Sequence, residues 1–169
     1  MNFKQRYIVA GVVILILILL SLINIPTIVL SEQNGDSKLM IPLWKSSEFT
    51  VEYLHSVNKT PVQEHFVSAP ENKILLIGTE FRSLGVGTPF LSEEGQLVND
   101  QGVYNLTGMN RSFDILHFVF LSLTEHTLLS QGKKFAFVDY FASGQIVELK
   151  IENYSIIKLV SHSLYAEGR

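Results

Sequence analysis

The densest group of side chains able to do chemistry is Tyr53-Leu54-His55-Ser56-Val57-Asn58-Lys59-Thr60-Pro61-Val62-Gln63-Glu64-His65-Phe66. If residues 57–60 form a hairpin loop, Ser56 faces Pro61 and His55 faces Val62. Glu64 then lies diagonal to His55 on the same face, within reach of a side-chain hydrogen bond. That face also carries Val51, Tyr53, Val57, Val62 and Phe66, so the two polar residues sit among apolar ones. Burying them costs free energy unless they pair. A carboxylate that raises an imidazole pKa is how a general base is built, and also how a buried hairpin is pinned. The structural pin is the first reading, a ligand site the second and catalysis the third. A one-residue change of register would separate the pair.

The remaining candidates carry less. Ser56 adjoins His55, but neighbours on a strand point to opposite faces, and the chain has no Gly-x-Ser-x-Gly elbow. Gly85-x-Gly87-x-Pro89 lacks the third Gly and the following helix of a dinucleotide fingerprint. It reads as a turn needing positive φ, or as an anion-binding nest of amides with Arg82 and Ser83 beside it. His117, on an apolar run, reads as a satisfied core residue. No Cys is present and the five His are scattered, without the spacing of a metal helix. No metal site and no cofactor is therefore expected.

These residues need strands to position them. Residues 49–55 alternate, with Phe49, Val51, Tyr53 and His55 on one face. Residues 61–69 and 73–83 follow as strands, separated by the turn Ala69-Pro70-Glu71-Asn72. Residues 84–102 read as loop, 103–107 as a brief strand, and 113–123, apolar on both faces, as a central strand. A strand over 135–141 lies between the turns Gln131-Gly132-Lys133-Lys134 and Ala142-Ser143-Gly144-Gln145. Residues 146–152 alternate cleanly, with Val147, Leu149 and Ile151 facing in, and 154–160 reads as a last strand. Residues 124–131 read as strand or helical turn. About eight short strands without a long amphipathic helix predict a mainly β domain, an antiparallel β-sandwich or small barrel.

One N-terminal transmembrane helix is expected ahead of it. Of the first 30 residues, 21 are apolar, and the uncharged run extends from Tyr7 to Leu30. That length suits a bilayer crossing. Lys4 and Arg6 precede the run, while Glu32 and Asp36 come before the next basic residue, Lys38. The positive-inside bias puts the N-terminus in the cytoplasm and the remainder outside. The apolar core exceeds that of a cleaved signal peptide and no small-x-small site follows, so the run reads as an uncleaved signal anchor of the cell membrane. The expected organisation is residues 1–30 as cytoplasmic terminus and anchor, 31–38 as linker, and 39–169 as extracytoplasmic domain. The exported part carries 11 basic and 16 acidic residues, which argues against nucleic acid or an anionic lipid surface as partner.

Tyr53-x-His55-Ser56-Val57-x-Lys59-Thr60-Pro61-Val62-x-Glu64-x-Phe66 followed by Thr79-Glu80-Phe81-Arg82-Ser83-x-Gly85-x-Gly87-x-Pro89 resembles the domain of unknown function 1850 family. Gly102, Asn110-Arg111 and Thr124-x-His126-x-Leu128 fit its looser C-terminal half. The resemblance implies a small bacterial membrane-anchored protein with an extracytoplasmic β domain, often encoded beside TAXI-type TRAP transporters. By analogy it makes Tyr53, His55, Ser56, Glu64, Arg82, Ser83, Gly85 and Gly87 the candidate ligand-binding residues. The function expected is a membrane-anchored accessory or ligand-binding module associated with a TRAP-type solute transporter, touching its membrane subunits or its solute-binding protein. The alternative is a cell-surface hydrolase or metal-dependent enzyme using His55 and Glu64. A non-enzymatic role is preferred.

Overall fold

The computed structural model describes residues 3–83 and 95–166. An N-terminal helix, α1 (Phe3–Leu22), precedes eleven strands and a closing helix, α2 (Ile156–Ala166). The strands are β1 (Asn24–Glu32), β2 (Ser37–Pro42), β3 (Glu48–Leu54), β4 (Pro61–Ala69), β5 (Lys73–Phe81) and β6 (Gln96–Asp100), followed by β7 (Val103–Phe113), β8 (Ile115–Val119), β9 (Thr127–Ser130), β10 (Lys133–Ala136) and β11 (Ile146–Ser155). They form two antiparallel sheets, a four-stranded one ordered β2-β1-β11-β8 and a seven-stranded one ordered β10-β9-β3-β4-β5-β7-β6. One apolar cluster lies between them, with Ile28, Leu30, Val147 and Leu149 from the smaller sheet and Val51, Phe66, Ile74 and Leu106 from the larger. This is the mainly β sandwich expected from the alternation of apolar and polar residues.

The clearest period-two segment behaves as read. In β11, Val147, Leu149 and Ile151 are buried while the intervening Glu148, Lys150 and Glu152 are not. In β5 a bulge between Leu76 and Gly78 changes the parity, so Ile74 and Leu76 and then Thr79 and Phe81 are buried. The hairpin joining β9 to β10 turns on Gln131 and Gly132, both at positive φ (55° and 77°). That mirror-image turn matches the twist of the strands, and glycine enters it without strain.

Several elements differ from the pattern reading. Helix α1 ends at Leu22, and Asn24–Glu32 is a strand rather than the end of the apolar span. Ile28, Val29 and Leu30 are fully buried, because β1 is hydrogen-bonded on both sides between β2 and β11. An uncharged buried strand joined directly to an apolar helix has the composition of one longer span. Residues 31–38 accordingly hold the β1–β2 turn rather than a linker. Strand β8 covers only Ile115–Val119 and forms an edge of its sheet, not a centre. Phe118 and Phe120 are apolar for a different reason, since they pack against the rings of His126 and Phe137. Residues 156–160 open helix α2 instead of extending a strand, and 137–139 form a single 3₁₀ turn. β6 occupies part of the stretch read as loop.

The segment Lys4–Leu22 has no buried share and is long and apolar enough to cross a membrane.

Candidate functional site

Pairing of β3 with β4 decides which residues meet. Leu54 faces Pro61, Tyr53 faces Val62 and Val51 faces Glu64. The connecting loop therefore holds residues 55–60, longer than the sequence suggests, and its own hydrogen bonds account for the extra length. The His55 amide donates to the Thr60 carbonyl and the Lys59 amide to the His55 carbonyl, each at 2.9 Å. The His55 Nδ1 accepts the amides of Val57 (3.3 Å) and Asn58 (3.2 Å). His55 thus caps its loop and does not reach Glu64. The expected His55–Glu64 pair is replaced by Tyr53–Glu64, in which the phenol Oη donates to Oε1 at 3.3 Å. The register slips by two positions on β3, so parity survives and Glu64 stays on the inner face.

Glu64 is the acidic residue on that face, with the buried Thr79 opposite it. Burial pushes its carboxyl above the usual value, and the hydrogen bond from Tyr53 and the nearby Arg111 charge offset part of the effect. Burial, and then the Glu64 charge, push the Tyr53 phenol up. The opposite wall is His126, whose ring stacks on that of Tyr53 with centroids 5.2 Å apart. His126 is nearly buried and further packed by Phe118, Phe120 and Phe137. This apolar cage pushes its imidazole down to about 4, so the ring is neutral at physiological pH. Thr124 Oγ1 lies 2.7 Å from His126 Nδ1 and donates to the Leu121 carbonyl at 2.6 Å. With the Thr124 proton committed to Leu121, Nδ1 carries the ring proton and Nε2 is left as an acceptor.

Tyr53, Glu64 and His126 share a cleft of about 360 Å³ with Arg111, between the edge strand β8 and the inner face of the larger sheet. Phe66, Leu76, Phe113, Leu116 and Phe118 supply apolar wall. The Arg111 guanidinium lies 5.9 Å from the Phe113 ring centroid, in cation–π range. A donor phenol, a carboxyl biased toward its neutral form, a neutral imidazole and a guanidinium thus meet around an apolar floor, a combination of the kind small-molecule pockets share. Among the described residues no group of three His, Asp or Glu side chains is arranged to hold a metal.

Of the residues singled out from the sequence, Tyr53, Glu64 and His117 line this cleft. His55 and Ser56 stay in the hairpin loop, with Ser56 exposed. Arg82 is exposed and Ser83 half-buried just beyond β5. Gly85 and Gly87 lie outside the described residues. His117 is not a core residue: it lies half-exposed on the rim of the cleft, with Nε2 3.3 Å from the Glu148 carboxylate across the β8–β11 pair. Arg111 and His126 enter the cleft although no local pattern marked them. Their signal lay in the resemblance, which included Asn110-Arg111 and Thr124-x-His126.

The family described as domain of unknown function (DUF1850) matches residues 49–137, more than half of the chain. The chain belongs to this family. The DUF1850 region runs from β3 to the 3₁₀ turn after β10 and contains Tyr53, Glu64, Arg111, Thr124 and His126. It omits both helices as well as β1, β2 and β11, so three strands of the smaller sheet lie outside the matched stretch. No curated protein and no solved structure matches the chain.

Proposed function

We propose that the protein is a membrane-anchored extracytoplasmic ligand-binding module that serves a TRAP-type transporter, with the Tyr53–Glu64–Arg111–His126 cleft as its binding site. The observation that carries this reading is the cleft itself, where Tyr53, Glu64, Arg111 and His126 converge on a face of the sandwich that is otherwise mostly apolar. Polar side chains are placed in such surroundings at a cost, and recognition of a ligand is a use that offsets it. A small organic acid fits the chemistry. Its carboxylate would join Arg111, its apolar body would lie against Phe66 and Phe113, and a hydroxyl could donate to His126 Nε2. The bias of Glu64 toward its neutral form lowers its repulsion of an anion.

Helix α1 and its flanking charges support the anchor and its orientation, with Lys4 and Arg6 on the cytoplasmic side and the β domain outside. The link to a TRAP system rests on the family resemblance. Two measurements test the reading. Thermal unfolding of the full chain with succinate, glutarate and benzoate should show a raised midpoint with at least one, and Arg111→Ala should weaken that response at least several-fold. No response to any of these acids would remove the organic-acid reading. Crosslinking in native membranes should recover TRAP subunits with the chain, and recovery of none under transporter-inducing conditions would remove the partner.

A further inference from the structure

Only Ile23 separates the end of α1 from the start of β1, so the sandwich has no tether. The uncharged helical stretch, residues 7–22, is about 24 Å long at ~1.5 Å per residue. A bilayer core is roughly 30 Å thick. So short a span draws the residues that follow it toward the lipid. The end of the sandwich from which α1 departs is equipped for that position. Pro42 pairs with Thr27, and the Leu43 amide donates to the Pro26 carbonyl at 2.9 Å, so Trp44 and Lys45 follow at the end of the sheet where β1 begins. Trp44 is 54% exposed. The Gln131 side chain accepts the Lys45 amide (2.9 Å) and donates to the Ser46 carbonyl (2.8 Å), tying the β9–β10 turn to this corner. Lys45, Lys133 and Lys134 therefore line one groove. Glu48 also lines it, but among the described residues no carboxylate pairs with any of these lysines. Helix α2 returns to the same end, where the Ile156 amide donates to the Ile23 carbonyl at 3.2 Å. It buries Leu159 while Ile157 and Val160 stay exposed.

We propose that this end of the domain is seated in the headgroup layer of an anionic bilayer. Trp44 and the exposed apolar residues of α2 lie at the interface, and Lys45, Lys133 and Lys134 bind lipid phosphates. The exported part is acidic overall, but exposed charges act only within a Debye length, so the lysine-rich corner meets the surface on its own terms. Continuity with α1 favours lipid over an acidic peptide as the occupant. The inference rests on α1 spanning the membrane.

Trp44 is the only tryptophan, so its fluorescence reports on this corner alone. The full chain is reconstituted in phosphatidylcholine vesicles with and without phosphatidylglycerol, and flotation after a carbonate wash first scores the anchor. Trp44 emission should be blue-shifted, strongly quenched by lipids brominated near the headgroup and little affected by aqueous iodide. Phosphatidylglycerol should increase the lipid quenching, and a Lys45→Gln, Lys133→Gln, Lys134→Gln chain with unchanged circular dichroism should lose that increase. A chain that floats while Trp44 stays open to iodide and unquenched by lipid overturns the inference and leaves the anchor standing. Protection of Trp44 by added polyglutamate but not by lipid overturns it in favour of a peptide. Failure to float overturns the anchor and the inference together.

Discussion

Glu64 and His126 face the same cleft, and burial biases each toward its neutral form, the carboxyl above its usual value and the imidazole down to about 4. Their effects on stability have opposite signs. The unfolded His126 takes up a proton near pH 6.5 and the folded one only near 4, so its contribution falls as pH drops through that window, by up to about 3 kcal/mol. Glu64 is harder to ionise folded than unfolded, so its contribution falls as pH rises past 4.5. Urea unfolding at pH 7 and pH 4.5 should show that His126→Leu abolishes most of the acid-side loss. Glu64→Gln should raise stability at pH 7 and expose the His126 slope more fully. A His126→Leu chain with an unchanged slope would assign the acid sensitivity elsewhere. The His117–Glu148 pair is half-exposed on the histidine side, and His117→Ala should change stability by no more than ~1 kcal/mol.

Within the larger sheet, Phe66 stacks on Phe49 with centroids 5.4 Å apart and is 1% exposed, so Phe66→Ala should cost about 3–5 kcal/mol, read from urea midpoints. Strand β1 decides more than any side chain. Removing residues 1–23 should leave a cooperatively folding sandwich, whereas removing residues 1–30 takes away most of the strand that joins β2 to β11. Thermal unfolding followed by circular dichroism should show a sharp transition for the first chain and none for the second. The boundary was illegible in the sequence because residues 27–31 of β1 are buried on both faces and so lack the alternation that marks a strand. The same ambiguity made 113–123 look central. Strands β3 and β11 were legible because one face of each meets the core while the other is mostly polar, and β4 and β5 because the turn residues between them bound both.

At the scale of the whole molecule, the direct junction of α1 to β1 is what the proposed seating at the bilayer surface depends on. A flexible Gly-Ser insertion between Ile23 and Asn24 should leave the fold intact and increase iodide quenching of Trp44 several-fold in reconstituted vesicles, by letting the sandwich leave the surface. Tyr53 lies at the opposite end of β3 from Glu48, whose neighbours Ser46 and Lys45 form the corner nearest α1. Substitutions at that corner should therefore spare the cleft. By itself the sequence determined the apolar N-terminal span, the mainly β domain, the turns and the presence of Glu64 among apolar residues, since each follows from composition or from a period along a single strand. Only the tertiary structure decided that Glu64 meets Tyr53 rather than His55, because register depends on how many residues the loop holds with its own hydrogen bonds. Only packing brought in Arg111 and His126, because their distance along the chain from Tyr53 is closed by sheet order and by the facing of two sheets, and no local pattern encodes either.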